Sequence, residues 1–321
     1  MYIQSLCCIS PSGMLTHDLS GLEPLAGDLL YCREPEYKNL IPPMQLRRMS
    51  KTIRIGVAAA KICLRETGLE KPDAIHIGSA YGVLDDSEKF LNNLIEQQEQ
   101  TLTPTSFIQS THNTVSGQIA LLTHCHGHNL TFVHKAHSFE SALLDAAVFL
   151  QNHPQAIVLA GAVEECTPTA YDILRRFGMY DDRIPAGEGA AFFLLSNQRN
   201  KATCKISAFD IFLASDATMV SKNISSFLEN NSLTIASDDI IITGEVNNEA
   251  SSIMYHQLQE RFFPNNPIQT FKLYSGEYPT ASAFGLSFAA LTLKEKNSPK
   301  AWLLNNLGKY WSIYCLESVG E

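Results

Sequence analysis

The segment AIVLAGAVEE (156–165) is short and almost wholly apolar, without the polar alternation of a strand that faces water on one side. Runs of this kind belong to strands covered on both faces, which in turn requires helices above and below a largely parallel sheet. The flanking sequence supplies them. Pro42-Pro43 opens a helical pattern that places Met49, Ile53, Val57, Ala60 and Leu64 on one face and ends at Gly68. DAIHIGSA (73–80) reads as a strand, followed by helices from about 87 to 98 and from near Asn113. LTFVHKA (130–136) is a further strand and SFESALLDAAVFLQNH (138–153) an amphipathic helix with Ser138 as its N-cap, while GAAFFLLS (189–196) reads as another strand.

Beyond the polar stretch SNQRNKATC (196–204) the alternation begins again. Strands at 205–214, 239–246 and 268–273 are separated by helices at 216–230 and 251–263. A helix near 280–296 and two closing strands, AWLLNNL and WSIYCLES, complete the chain. The expectation is an α/β fold of two related halves, 1–200 and 201–321, packed as one compact unit in five layers, α-β-α-β-α.

Composition excludes several functions. With 24 basic and 33 acidic residues the net charge is −9, and no Lys/Arg-rich stretch offers a nucleic-acid surface. No apolar run approaches the roughly 20 residues of a spanning helix, and the first residues lack the basic and apolar regions of a signal peptide. The eight cysteines are scattered without CxxC spacing, as expected of buried thiols in a reducing compartment, so a cytoplasmic protein is expected.

Four patches then carry a resemblance: TPTSFIQSTHNTVSGQIA (103–120), HKAHSFESALLDA (134–146), AGAVEE (160–165) and GEGAAFFLLS (187–196). In this order and spacing they resemble the β-ketoacyl synthases, and the second resembles the turn that carries their nucleophilic cysteine. The string RRMSK, SAYG, THN and SFESALLDA is closer still to the chain-length-factor-like branch of type II polyketide and aryl polyene systems. The resemblance implies a thiolase-type fold and partnership with an active ketosynthase as a heterodimer, or with itself as a homodimer. It also implies an acyl carrier protein as partner, and no cofactor.

A condensing synthase needs a thiolate at a helix N-terminus and two histidines. The resemblance puts His137 at the cysteine position, and Glu249, within VNNEAS (246–251), at that of the first histidine. Where the family has a lysine followed five positions later by histidine, this chain has Lys272 and Glu277. The family's terminal glycine-rich loop corresponds to NNLGKYW (305–311). A degenerate pocket of His137, Glu249, Glu277 and Lys272 is therefore expected, without condensing activity. Two further readings of these four positions stay open: a packed, inert pocket, or an ion-pair cluster in which the two carboxylates hold His137 as imidazolium. A metal site of one histidine and two carboxylates, a malonyl decarboxylase or acyltransferase using His137, and an acyl-binding scaffold stay open as well.

The resemblance also implies that the strand before His137 pairs across a dimer dyad, with Val133 on it. His112, Asn113, Val115 and Ile119 are expected beside the tunnel and interface, His112 and Asn113 setting the loop geometry. Arg47, Arg48, Lys51 and Arg54, with Lys61 and Arg65, form a basic helix that reads as a solvated face or as a docking surface for an acidic carrier protein. THCHGHN (123–129) groups His124, Cys125, His126 and His128, but its place between a helix and a strand favours a turn at Gly127 over a metal site, and no metal is expected.

Overall fold

A computed structural model describes residues 1–100, 104–181 and 183–320; Thr103, at the head of the first resemblance patch, lies outside them. The strands are β1 (Tyr2–Ser10), β2 (Gly13–Leu15), β3 (Ala74–Gly78), β4 (His128–Phe132), β5 (Val158–Glu164), β6 (Gly189–Ser196), β7 (Cys204–Leu213), β8 (Ile240–Thr243), β9 (Ile268–Thr270), β10 (Lys300–Leu307) and β11 (Tyr310–Ser318). The helices are α1 (Pro43–Leu46), α2 (Lys51–Glu66), α3 (Leu84–Glu96), α4 (Pro104–Gln109), α5 (Thr114–Thr123), α6 (Ser138–Asn152), α7 (Pro168–Arg176), α8 (Ala217–Asn230), α9 (Glu249–Phe262), α10 (Lys272–Ser275) and α11 (Ala281–Lys296).

Hydrogen bonding orders the strands β4-β3-β5-β6-β1 and then β7-β11-β10-β8-β9, joined by the two pairs Tyr2–Lys205 and Ile3–Cys204. Numbered within its own run and read from its outer edge inward, each set of five follows the same order: third, second, fourth, fifth, first. The second run thus repeats the topology of the first. Two apolar clusters cover the first run, one beneath α2 and α5 and the other beneath α6 and α11; α8 and α9 cover the outer face of the second run. The result is five layers with α6 and α11 in the middle. Every residue of α11 from Ala281 to Leu293 is buried, and the sequence ASAFGLSFAALTL is correspondingly small or apolar on all sides.

The interior parallel strands β3 and β5 are buried along their whole length, whereas β4, at the edge, is half exposed throughout. Leu130 on β4 and Val133 just after it are exposed. The strand is shorter than LTFVHKA suggests. Lys135 takes a left-handed φ of +52° and starts a one-turn 3-10 segment that leads directly into α6. Ser138 is also not the cap: it is the first helical residue, and its hydroxyl bridges the turn, donating to the Lys135 carbonyl and accepting from the His134 amide. Gly78 allows this arrangement, since a Cβ there would lie 2.4 Å from the Ser138 backbone.

Candidate functional site

The carboxyl ends of β3, β8 and β10 surround a cleft of about 640 Å³, the place where open α/β sheets hold ligands. Tyr81 follows β3, Lys135 and Ala136 precede α6, and Asn248, Ala250, Ser251, Met254 and Tyr255 come from the start of α9. Glu277 lies on the loop before α11, and Asn306 to Trp311 form the tip of the β10–β11 hairpin. That tip is NNLGKYW, closed here as a two-residue turn of Gly308 and Lys309, with Leu307 paired to Tyr310 and Gly308 at φ +56°.

The motifs that carry the family resemblance build the walls of this cleft. Both glutamates of AGAVEE are buried and hold the loop after β3. Glu164 accepts from the amides of Ala80 at 2.7 Å and Tyr81 at 3.0 Å, and Glu165 accepts from the amide of Asp85 at 3.0 Å. Burial pushes the Glu164 carboxyl up to about 8 against these donors. Glu188 of GEGAAFFLLS is fully buried, receives both charged contacts of Lys51 (2.7 and 2.8 Å) and accepts from the Cys32 amide. Gly187 of the same motif runs against Ser275 and Gly276, where a Cβ would fall 2.0 Å from the Ser275 carbonyl oxygen. This contact seats Glu277, whose amide donates to the Pro185 carbonyl.

The four pocket residues do not meet as one cluster. His137 is 4% exposed and lies behind the cleft wall. Its Nε2 donates to the Trp311 carbonyl at 3.0 Å, and its ring meets Tyr310 and His134 edge-on. Burial pushes its pKa down, the carbonyl bond partly offsets this, and His134 adds to the fall, so the ring is neutral. Glu277 pairs with Lys272 at 2.6 Å, both side chains being buried, and Lys272 also donates to the Asn306 carbonyl. Burial pushes the Lys272 amine down and the Glu277 carboxyl up, each opposed by the contact between them. Glu249 is exposed at the first turn of α9. The ion-pair reading of His137 with the two glutamates is therefore corrected: a lysine has taken one carboxylate and solvent the other. The same separation removes a metal site built on these three residues.

Other expectations are also revised. Val115 and Ile119 are 1% and 0% exposed and pack into the chain's own core beneath α2, because Gly56 leaves room for the Val115 side chain. They do not face a partner. The His112 ring packs over Gly82, which has φ +68°, while Asn113 is exposed at the head of α5. In the basic helix, Lys51 is consumed by Glu188, and Arg54 pairs with Glu34 at 3.1 Å and donates to the Met49 carbonyl. Arg47 and Arg48 are exposed. In THCHGHN, His124 is the left-handed cap of α5 and Cys125 is buried with its thiol on the Pro72 carbonyl. All eight cysteines are free and buried, and no helix among the described residues is long and apolar enough to cross a membrane. Sequence reasoning missed Lys135 and Tyr81 as cleft residues; a left-handed lysine leaves no mark in a one-dimensional pattern.

Two five-strand runs of the same topology around a buried helical layer, with a cleft at the strand ends, define the thiolase-like class of fold. A family profile described as the β-ketoacyl synthase N-terminal domain matches residues 31–236, and the chain belongs to that family. Among solved structures it is similar to a β-ketoacyl synthase from Burkholderia phymatum STM815, with 14% identity, TM-score 0.84 and 99% of each chain covered. It is likewise similar to the ishigamide ketosynthase/chain length factor, with 15% identity, TM-score 0.81 and 99% of each chain covered. A third similar structure is the ketosynthase ApeO in complex with its chain length factor ApeC from Xenorhabdus doucetiae, with 13% identity, TM-score 0.77 and coverage of 99% of this chain and 97% of that one. No curated protein sequence matches.

Proposed function

We propose that this chain is a catalytically silent ketosynthase-like subunit of the chain-length-factor type, which pairs with an active β-ketoacyl synthase making polyketide or aryl-polyene-like acyl chains. One observation carries the reading: among the described residues that line the cleft there is neither a cysteine nor a histidine. A condensing step needs a nucleophile to hold the acyl group and donors to stabilise the developing oxyanion. Here the residue at the nucleophile turn is a neutral, buried imidazole tied to a backbone carbonyl. The same burial weighs against a decarboxylase or acyltransferase that uses His137.

What remains suits a subunit that shapes a partner's site. The framework glutamates are satisfied, while apolar side chains are left exposed on the β4 edge and on α6, namely Leu130, Val133, Leu144 and Val148. Two similar solved structures are ketosynthases with chain length factors, and a third is an acyl carrier protein in complex with its ketosynthase. Arg47 and Arg48 stay exposed in the turn between α1 and α2, where an acidic carrier protein could meet them.

The silent-site reading is tested by incubating the full chain with a radiolabelled acyl thioester on a carrier protein and resolving the products under denaturing, non-reducing conditions. The expected result is no covalent label above background. Stoichiometric label on His137, or on any cysteine, would contradict it.

A further inference from the structure

On the face of the sheet beneath α6, away from the cleft, two histidines and an aspartate converge. His76 sits in the middle of β3, His128 opens β4, and Asp145 lies on α6. Parallel register sets Ala74 opposite His128, so His76 and His128 are diagonal neighbours on one face. Ala74 packs in the same cluster as Phe139, Leu143 and Ala146, which identifies that face as the one covered by α6. One donor atom from each of the three side chains lies within 4.8 Å of the other two.

His76 makes this more than proximity. It is 0% exposed, yet neither ring nitrogen has a hydrogen-bond partner. Its Nδ1 lies 2.7 Å from Asp145 Oδ2, but the contact is not aligned as a hydrogen bond, and that oxygen is likewise unsatisfied. Three potential ligand atoms are thus grouped around a buried histidine whose ring nitrogens have no aligned hydrogen-bond partner. Phe149 buttresses both rings, at 5.8 Å from His76 and 5.5 Å from His128, and the two imidazoles stand edge-on at 5.1 Å.

We propose that His76, His128 and Asp145 bind a zinc ion, with water completing the coordination on the exposed His128 side. Two imidazoles and one carboxylate suit a borderline first-row ion; magnesium and calcium prefer all-oxygen shells. The ligands come from three separate elements, so the ion would clamp the edge strand β4 to β3 and α6. Only His128 belongs to the THCHGHN string.

The full chain, stripped with a chelator and dialysed, is titrated with zinc by calorimetry and then with cobalt(II) in the spectrophotometer. One equivalent should bind. Asp145→Asn and His128→Ala, both at partly or fully exposed positions, should each weaken binding by at least about tenfold. His126→Ala should leave it unchanged, and the cobalt spectrum should lack a thiolate charge-transfer band. The proposal is overturned by absence of binding, by affinity that survives either ligand substitution, by loss of affinity in His126→Ala, or by a thiolate band implicating Cys125.

Discussion

Val133→Asp should weaken association with the proposed partner synthase by about 3–5 kcal/mol, roughly 150-fold to several thousand-fold in Kd, without unfolding the chain. The argument begins with the strand. Among the described strands β4 is bonded by β3 alone, and exposed apolar side chains lie on it and just after it. Such an edge is an aggregation hazard unless another chain covers it. Val133 is 53% exposed in the single chain, so a carboxylate there costs the isolated fold little. In a complex that covers the edge the same carboxylate is buried without a counter-ion. Sedimentation or surface-plasmon measurements give the change in Kd, and a thermal scan verifies the fold. Unchanged affinity would remove β4 from the interface.

The second large effect lies under the cleft. Glu277→Leu should destabilise the fold by about 3–5 kcal/mol, because Lys272 is buried and would keep only the Asn306 carbonyl as partner. Adding Lys272→Met should restore stability to within about 1 kcal/mol of the parent, since a buried pair recovers little more than its own desolvation. The midpoint of denaturant unfolding reads both steps. If the pair is a structural floor, the double variant should also keep its affinity for the partner. A double variant as unstable as the single one would mean that the cleft needs the charges themselves.

The contrast between these two sites explains what could be read in one dimension. Buried strands announce themselves by composition: GAAFFLLS is β6 residue for residue, and SFESALLDAAVFLQN is α6. β1 gave no comparable signal, because YIQSLCCIS mixes polar and small residues, although the strand sits at the centre of the sheet, where even Ser5 finds a partner in the Cys63 carbonyl. The family motifs were legible because they perform framework work that cannot be done otherwise, as with Glu164 and Glu165 on the loop after β3 or Gly187 against Ser275. Side-chain direction was not legible. Val115 and Ile119 look the same in sequence whether they face a partner or Gly56. The gap of five positions between Lys272 and Glu277 matches the family's lysine and histidine, yet here it closes an ion pair. His76 and Asp145 lie far apart in sequence and meet only through the packing of α6 on β3 and β4.

Light scattering on the purified chain, alone and mixed with a cysteine-containing ketosynthase from the same source, tests the central claim most directly. The account predicts a stable one-to-one complex in the mixture, with an interface burying more than about 2,000 Å². A well-behaved monomer in both samples would contradict it.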